Sequence, residues 1–225
     1  MTGEGFQFID IILLAMLAGF IALRLRSVLG RRTGDESRPA ADSVPHGRHM
    51  PGDYEQAGGG DPDGLSDTVV RLEADPKLRK GFREIAKADP DFDVDIFLEG
   101  AKAVYPIILE AFWNGERDTL SQYLSEDVLA EFTAALDARE KAGHTVEGRV
   151  VDLTAAEIVE AGMNGPMVEI TMRYISEIVS VTRDSEGRVV EGNVSDTTTV
   201  TDVWTFQREA GSDDPNWTLI ATSSE

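Results

Sequence analysis

Met167-Val168-Glu169-Ile170-Thr171-Met172-Arg173-Tyr174-Ile175-Ser176-Glu177-Ile178-Val179-Ser180-Val181 decides the fold class. One face of this stretch reads Val168, Ile170, Met172, Tyr174 and Ile178, while Glu169, Thr171, Arg173 and Glu177 fall on the other. Successive side chains of an extended chain point to opposite faces, so the alternation describes a strand with one dry face and one wet face. Upstream, Asn164-Gly165 is a turn signal, and Val146–Val159 reads as a second strand with an irregularity near Ala155-Ala156. Downstream, Asp184–Gly187 reverses the chain and Thr197–Arg208 gives a long strand. Gly211–Pro215 turns it again, and Trp217–Thr222 closes the set.

Before Gly143 the period is helical. Residues 65–88 form an arm interrupted at Asp75-Pro76, in which Leu78, Phe82 and Ile85 share one face. Lys80, Arg83 and Lys87 repeat on another face, and Arg71 extends the same excess of positive charge toward the N-terminus. The run Asp89-Pro90-Asp91-Phe92-Asp93-Val94-Asp95 alternates acids like the start of a calcium loop. Val94 stands where such a loop needs glycine, and Gly100 stands where it needs glutamate. The run therefore reads as the start of a helix, where acids complement the helix dipole. Phe92, Ile96, Phe97, Val104, Ile108 and Phe112 are expected to line its buried stripe. Pro106 should kink the helix and Gly115 should stop it. After a short segment around Asp118–Leu124, Ser125 is placed to cap a helix that runs to Ala142 through Val128, Leu129, Phe132 and Leu136. Helices followed by antiparallel strands give an α+β domain, a curved sheet with helices on one face.

The N-terminal part has a different character. Ile11–Leu23 contains no polar side chain, and Phe6–Leu25 is long enough for a transmembrane helix, which needs about 20 mostly apolar residues. Glu4 precedes the run, and Arg24, Arg26, Arg31 and Arg32 follow it. That order is the reverse of a cleaved signal peptide, and it keeps the arginine side in the cytoplasm with the N-terminus outside. Ala15/Gly19 and Ala18/Ala22 have the small-xxx-small spacing that lets two helices approach, a route to a homo-oligomer through the anchor. In residues 34–64, glycine and proline fill 11 of 31 positions, so the segment buries too little apolar area to offset its ordering entropy and reads as a linker. His46 and His49 lie within it, two ligands where a metal site needs three or four. The organisation expected is an anchor over 1–33, a disordered linker over 34–64 and an α+β domain over 65–225.

The chain carries 41 acids and 21 bases, a net charge of −20, and no cysteine. The missing cysteines exclude disulfides, thiolate nucleophiles and cysteine zinc sites. The acidic balance excludes nucleic acid as a general partner, because phosphate neutralisation needs lysine and arginine. No cluster of residues specifies a catalytic, metal or cofactor site.

Several motifs stand in a recognisable order. Phe97-Leu98-Glu99-Gly100-Ala101-Lys102-Ala103-Val104-Tyr105 is followed by Ala111-Phe112-Trp113-Asn114-Gly115 and Ala138-Arg139-Glu140. Asp202-Val203-Trp204-Thr205-Phe206 and Pro215-Asn216-Trp217-Thr218-Leu219 come after them. Together they resemble the C-terminal domain of the mitochondrial import-motor adaptor, inner-membrane translocase subunit 44, over about residues 65–225. With the anchor, the chain resembles a bacterial membrane-anchored member of that family. The resemblance implies a cone-like domain related to nuclear transport factor 2, with a hydrophobic pocket and membrane-proximal helices. It also implies a non-catalytic adaptor at the inner membrane, whose partners belong to protein translocation or include a heat-shock chaperone. Where the mitochondrial protein has a long charged N-terminal region, this sequence has the apolar run and the linker.

On this reading Tyr174, Asp202, Trp204 and Phe206 line the pocket, and Arg71, Lys80, Arg83 and Lys87 contact a membrane or partner. Two alternatives accompany the adaptor. One is a ribosome- or complex-anchoring module. The other is a small-molecule-binding or isomerase-like enzyme of the same cone fold, which needs a carboxylate in an apolar setting. Asp202, on one face with Val200, Trp204 and Phe206, is the acid it would use.

Overall fold

Asp75 starts the first helix, α1 (Pro76–Ala88), by accepting the Lys77 amide at 2.7 Å, and Pro76 supplies a first-turn residue with no amide to satisfy. The computed structural model describes residues 75–224. The anchor expected over Phe6–Leu25, the linker with His46 and His49, and Arg71 lie outside the described residues. Among the described residues no helix is long and apolar enough to cross a membrane.

The second helix, α2 (Val94–Asn114), begins where Asp93 accepts the amides of Asp95 and Ile96. It runs unbroken through Pro106 and ends at Gly115, whose φ of 76° is the left-handed conformation that glycine adopts without steric cost. A single turn, α3 (Arg117–Leu120), leads to α4 (Glu126–Lys141), capped by Ser125. The strands are β1 (Thr145–Asn164), β2 (Met167–Arg183), β3 (Val189–Gly192), β4 (Thr198–Glu209) and β5 (Thr218–Ser224). They form one antiparallel sheet in the order β1-β2-β4-β5, with β3 paired to the far end of β2. The protein is thus α+β, helices packed on an antiparallel sheet.

Val168, Ile170, Met172 and Tyr174 are fully buried, as the alternation requires. Beyond Ser176 the pattern changes. Ile178 is half-buried, while Val179 and Val181 of the opposite face are buried. The change coincides with a register shift in β1 between Val150 and Asp152, opposite Glu177 and Ile178. β1 has two further shifts, one between Leu153 and Ala155 at the expected irregularity and one between Ile158 and Glu160. Such bulges bend a strand and raise its twist, which curves the sheet around the helices.

One expected stripe residue is misplaced: Ile96 is 70% exposed. The buried face of α2 is Phe97, Leu98, Ala101, Tyr105, Ile108 and Phe112. Ile96, Gly100, Ala103 and Ile107 have the same helical spacing, and all four are exposed. The helix therefore has two apolar stripes, and periodicity alone did not say which one faces the sheet.

α1 lies on β1, with Leu78 and Ile85 buried. Gly81 makes the approach possible: a Cβ there would overlap the carbonyl oxygen of Ala161. At the sheet edge opposite β1, β5 is held by a bridge to the α3–α4 connection, where the Leu219 amide donates to the Tyr123 carbonyl at 2.7 Å and the Ser125 amide to the Leu219 carbonyl at 2.9 Å.

Candidate functional site

Two groups of residues carry chemistry beyond packing. The first lies inside, between α2 and the sheet. In register, Asp202 of β4 stands between Tyr174 of β2 and Ser224 of β5. Its carboxyl accepts from the Tyr105 hydroxyl at 2.7 Å and from the Ser224 hydroxyl at 2.7 Å. Tyr105 also pairs with the Ser176 hydroxyl at 2.8 Å, and Tyr174 donates to the Ala101 carbonyl at 3.1 Å. The rings of Tyr105 and Tyr174 stack at 4.4 Å, with Trp204 tilted against Tyr105 and edge-on to Tyr174. Phe206 completes the layer against Phe97.

Asp202 is only 7% exposed, and among the described residues its hydrogen-bond donors are two hydroxyls, with no arginine or lysine pairing with it. Burial raises its pKa above the usual aspartate value, against the opposing effect of the Ser224 and Tyr105 hydrogen bonds. Burial, and then the Asp202 charge, push the Tyr105 hydroxyl far above the ordinary tyrosine value. Tyr174 moves the same way, first by burial and then through Tyr105 and Asp202. Both phenols therefore remain donors. The Trp204 indole N–H is buried without a hydrogen-bond partner among the described residues.

Of the four residues assigned to a pocket, Tyr174, Trp204 and Phe206 are core side chains at most 2% exposed, and Asp202 sits at the edge of their layer. The structure brings all four together. Tyr105 and Ser176 belong to the same network and were not singled out. Tyr105 was legible as the residue four after Ala101 on the face that carries Phe97 and Phe112, whereas Ser176 gave no sequence signal. An open groove of about 430 Å³ lies elsewhere, lined by Gly115–Thr119.

The second group is the outer face of α1. Lys80, Arg83 and Lys87 are exposed, with Lys77 and Arg79 beside them. Glu84 is the one acid in this helix, and it pairs loosely with Lys80 at 3.8 Å. Leu78, Gly81 and Ile85 fill the opposite face, so the basic side chains project away from the domain. α1 is fixed at its C-terminal end by Asp89, which accepts from Arg208 at 2.7 Å, and Arg208 lies over the Trp217 ring at 5.0 Å.

A family model described as the Tim44-like domain matches residues 78–224, from the first turns of α1 to the end of β5. The chain belongs to the Tim44-like domain family. The human mitochondrial import inner membrane translocase subunit TIM44 is 26% identical over 167 residues, covering 72% of this chain and 36% of the relative. TIM44-1 of Arabidopsis thaliana is 26% identical over 144 residues, covering 61% and 30%. The chain thus spans about a third of the length of these relatives. Among solved structures, a periplasmic fragment of TraM aligns with a TM-score of 0.36 at 16% identity, over 56% of this chain and 94% of that one. The matched span takes in the internal network up to Ser224 and, at its beginning, Arg79, Lys80, Arg83 and Lys87 of the basic helix.

Proposed function

We propose that this Tim44-like protein is a membrane-tethered, non-catalytic adaptor linked to protein translocation, a bacterial relative of the mitochondrial translocase subunits. The observation that carries the reading is the family match across the whole packed domain. Phe6–Leu25 anchors the chain in the inner membrane with its N-terminus outside, and the domain stands on the cytoplasmic side. As a flexible coil, residues 34–64 span roughly 30 Å, which confines the domain near the bilayer and raises its effective concentration for membrane-bound partners. α1, at the start of the packed domain, turns its basic face toward that surface. Its partners are translocase components or a heat-shock chaperone, and recruiting them is the adaptor's task.

Crosslinking in intact cells, with mass spectrometry of what co-purifies with the anchored protein, tests the reading. Recovery of translocase or chaperone subunits is the expected result. Recovery of ribosomal proteins instead would replace it with an anchoring module. A co-purifying small molecule turned over only when Asp202 is intact would replace it with an enzyme.

A further inference from the structure

Asp202 is where three elements meet. Tyr105 reaches it from α2, Ser224 reaches it from β5, and Ser176 of β2 joins through Tyr105. We propose that Asp202 is a proton-responsive lock on the C-terminal strand: protonated, it clasps α2 to the end of β5, and ionised, it releases that end.

The argument rests on which groups face the carboxyl. From α2 the titratable group is Tyr105, and from β2 it is Tyr174, both neutral. From β5 the facing group is the Ser224 hydroxyl, and among the described residues no lysine, arginine or histidine pairs with Asp202. A carboxylate taken out of water with no cation beside it is disfavoured, and hydroxyl donors offset only part of that cost.

The hydroxyl chain serves both protonation states. Either oxygen of the Tyr105–Ser176 pair can be the donor. With Asp202 ionised, Ser176 donates to Tyr105, and Tyr105 and Ser224 donate to the carboxylate. With Asp202 protonated, its O–H donates to Tyr105, Tyr105 turns its proton to Ser176, and Ser224 still donates to the other oxygen. The proton is exchanged with water. Asp202, Tyr105 and Ser224 keep their hydrogen bonds in both states; the ionised state carries the buried charge, and the protonated state turns Ser176 from donor to acceptor.

The route by which that charge regains water is set by topology. β5 is the edge strand, and Asp202↔Ser224 is the last pair of its ladder with β4. The other end of β5 is pinned at Leu219 by its hydrogen bonds to Tyr123 and Ser125. Opening from Ser224 inward therefore hydrates Asp202 without disturbing β2 or β4, and exposes the interior beside Tyr105 and Trp204. The direction of the Asp202 shift places this transition at higher pH than an ordinary aspartate would give.

Amide hydrogen exchange in the full chain, from about pH 4 to about pH 8 and corrected for intrinsic rates, tests the lock. Protection of Thr222–Ser224 should fall roughly tenfold for each unit by which folding raises the carboxyl's pKa. Leu219 should stay protected throughout. Asp202→Asn, which cannot ionise, should flatten the profile. A flat wild-type profile, or an equal fall in Asp202→Asn, would overturn the proposal. Ser224→Ala keeps the acid and removes one arm of the clasp. It should lower protection of the β5 end at acid pH while sparing Leu219, and unchanged acid protection there would also overturn it.

Discussion

Arg208 and Asp89, 119 residues apart in sequence, meet at 2.7 Å with side chains 15% and 4% exposed. This ion pair joins the end of α1 to β4, so it sets where the basic helix stands on the sheet. Removing one partner of a buried pair strands the other charge and costs about 3–5 kcal/mol when burial is complete. Asp89 is the deeper of the two, so Arg208→Ala should cost about 3 kcal/mol and Asp89→Ala somewhat less. The double mutant should lose less than the sum. Urea denaturation of the four proteins checks the cycle, and additive losses would show that the pair is not coupled.

Two glycines in neighbouring helices should respond oppositely to alanine. At Gly81 the added methyl runs into the Ala161 carbonyl, so α1 must lift from β1. The expected loss is about 1–3 kcal/mol, typical of overpacking. Gly100 is exposed in the middle of α2, with open space around its missing Cβ. Gly100→Ala should gain about 0.5–1 kcal/mol from helix propensity alone. Thermal melts of the two single mutants decide the matter.

The strands were legible because burial here acts on one face at a time. Val168 through Tyr174 alternate in sequence because they alternate between core and surface. α2 defeated the same logic, since Ile96 and Ile107 repeat with the same period as Phe97, Ala101 and Ile108, and only the contact with the sheet chooses between the two stripes. β3 was missed because Val189-Val190 is too short to show any period and both valines remain exposed. The Asp202 site was half legible. Its strand face predicted apolar neighbours, but its donor Tyr105 lies 97 residues away, a pairing that exists only once α2 lies on the sheet.

Trp204 is the largest fully buried side chain, and it touches Tyr105, Tyr174 and Phe206. Trp204→Ala and Phe206→Ala should each cost about 3–5 kcal/mol, the usual range for a buried aromatic. Trp204→Phe should cost much less, because it keeps an aromatic ring in the layer and the indole N–H has no hydrogen bond to lose among the described residues. A loss for Trp204→Phe as large as that for Trp204→Ala would mean that the N–H has a partner after all.

The exposed face of α1 gives the sharpest test of membrane contact. Lys80, Arg83 and Lys87 project away from the buried stripe of Leu78 and Ile85, so reversing them to Glu removes no packing. Each such residue near an anionic bilayer contributes about 1 kcal/mol. Neutralising three therefore weakens binding by about 3 kcal/mol, on the order of a hundredfold, and reversal weakens it further. A fragment of residues 65–225 should fold without the anchor and bind vesicles containing anionic lipid. Its affinity should drop steeply as salt shortens the Debye length from about 30 Å at 0.01 M to about 8 Å at physiological ionic strength. The triple reversal should melt like the wild type yet co-sediment with those vesicles hardly at all. Equal sedimentation of the two fragments would assign the basic face to solvent and leave the tether as the domain's one link to the membrane.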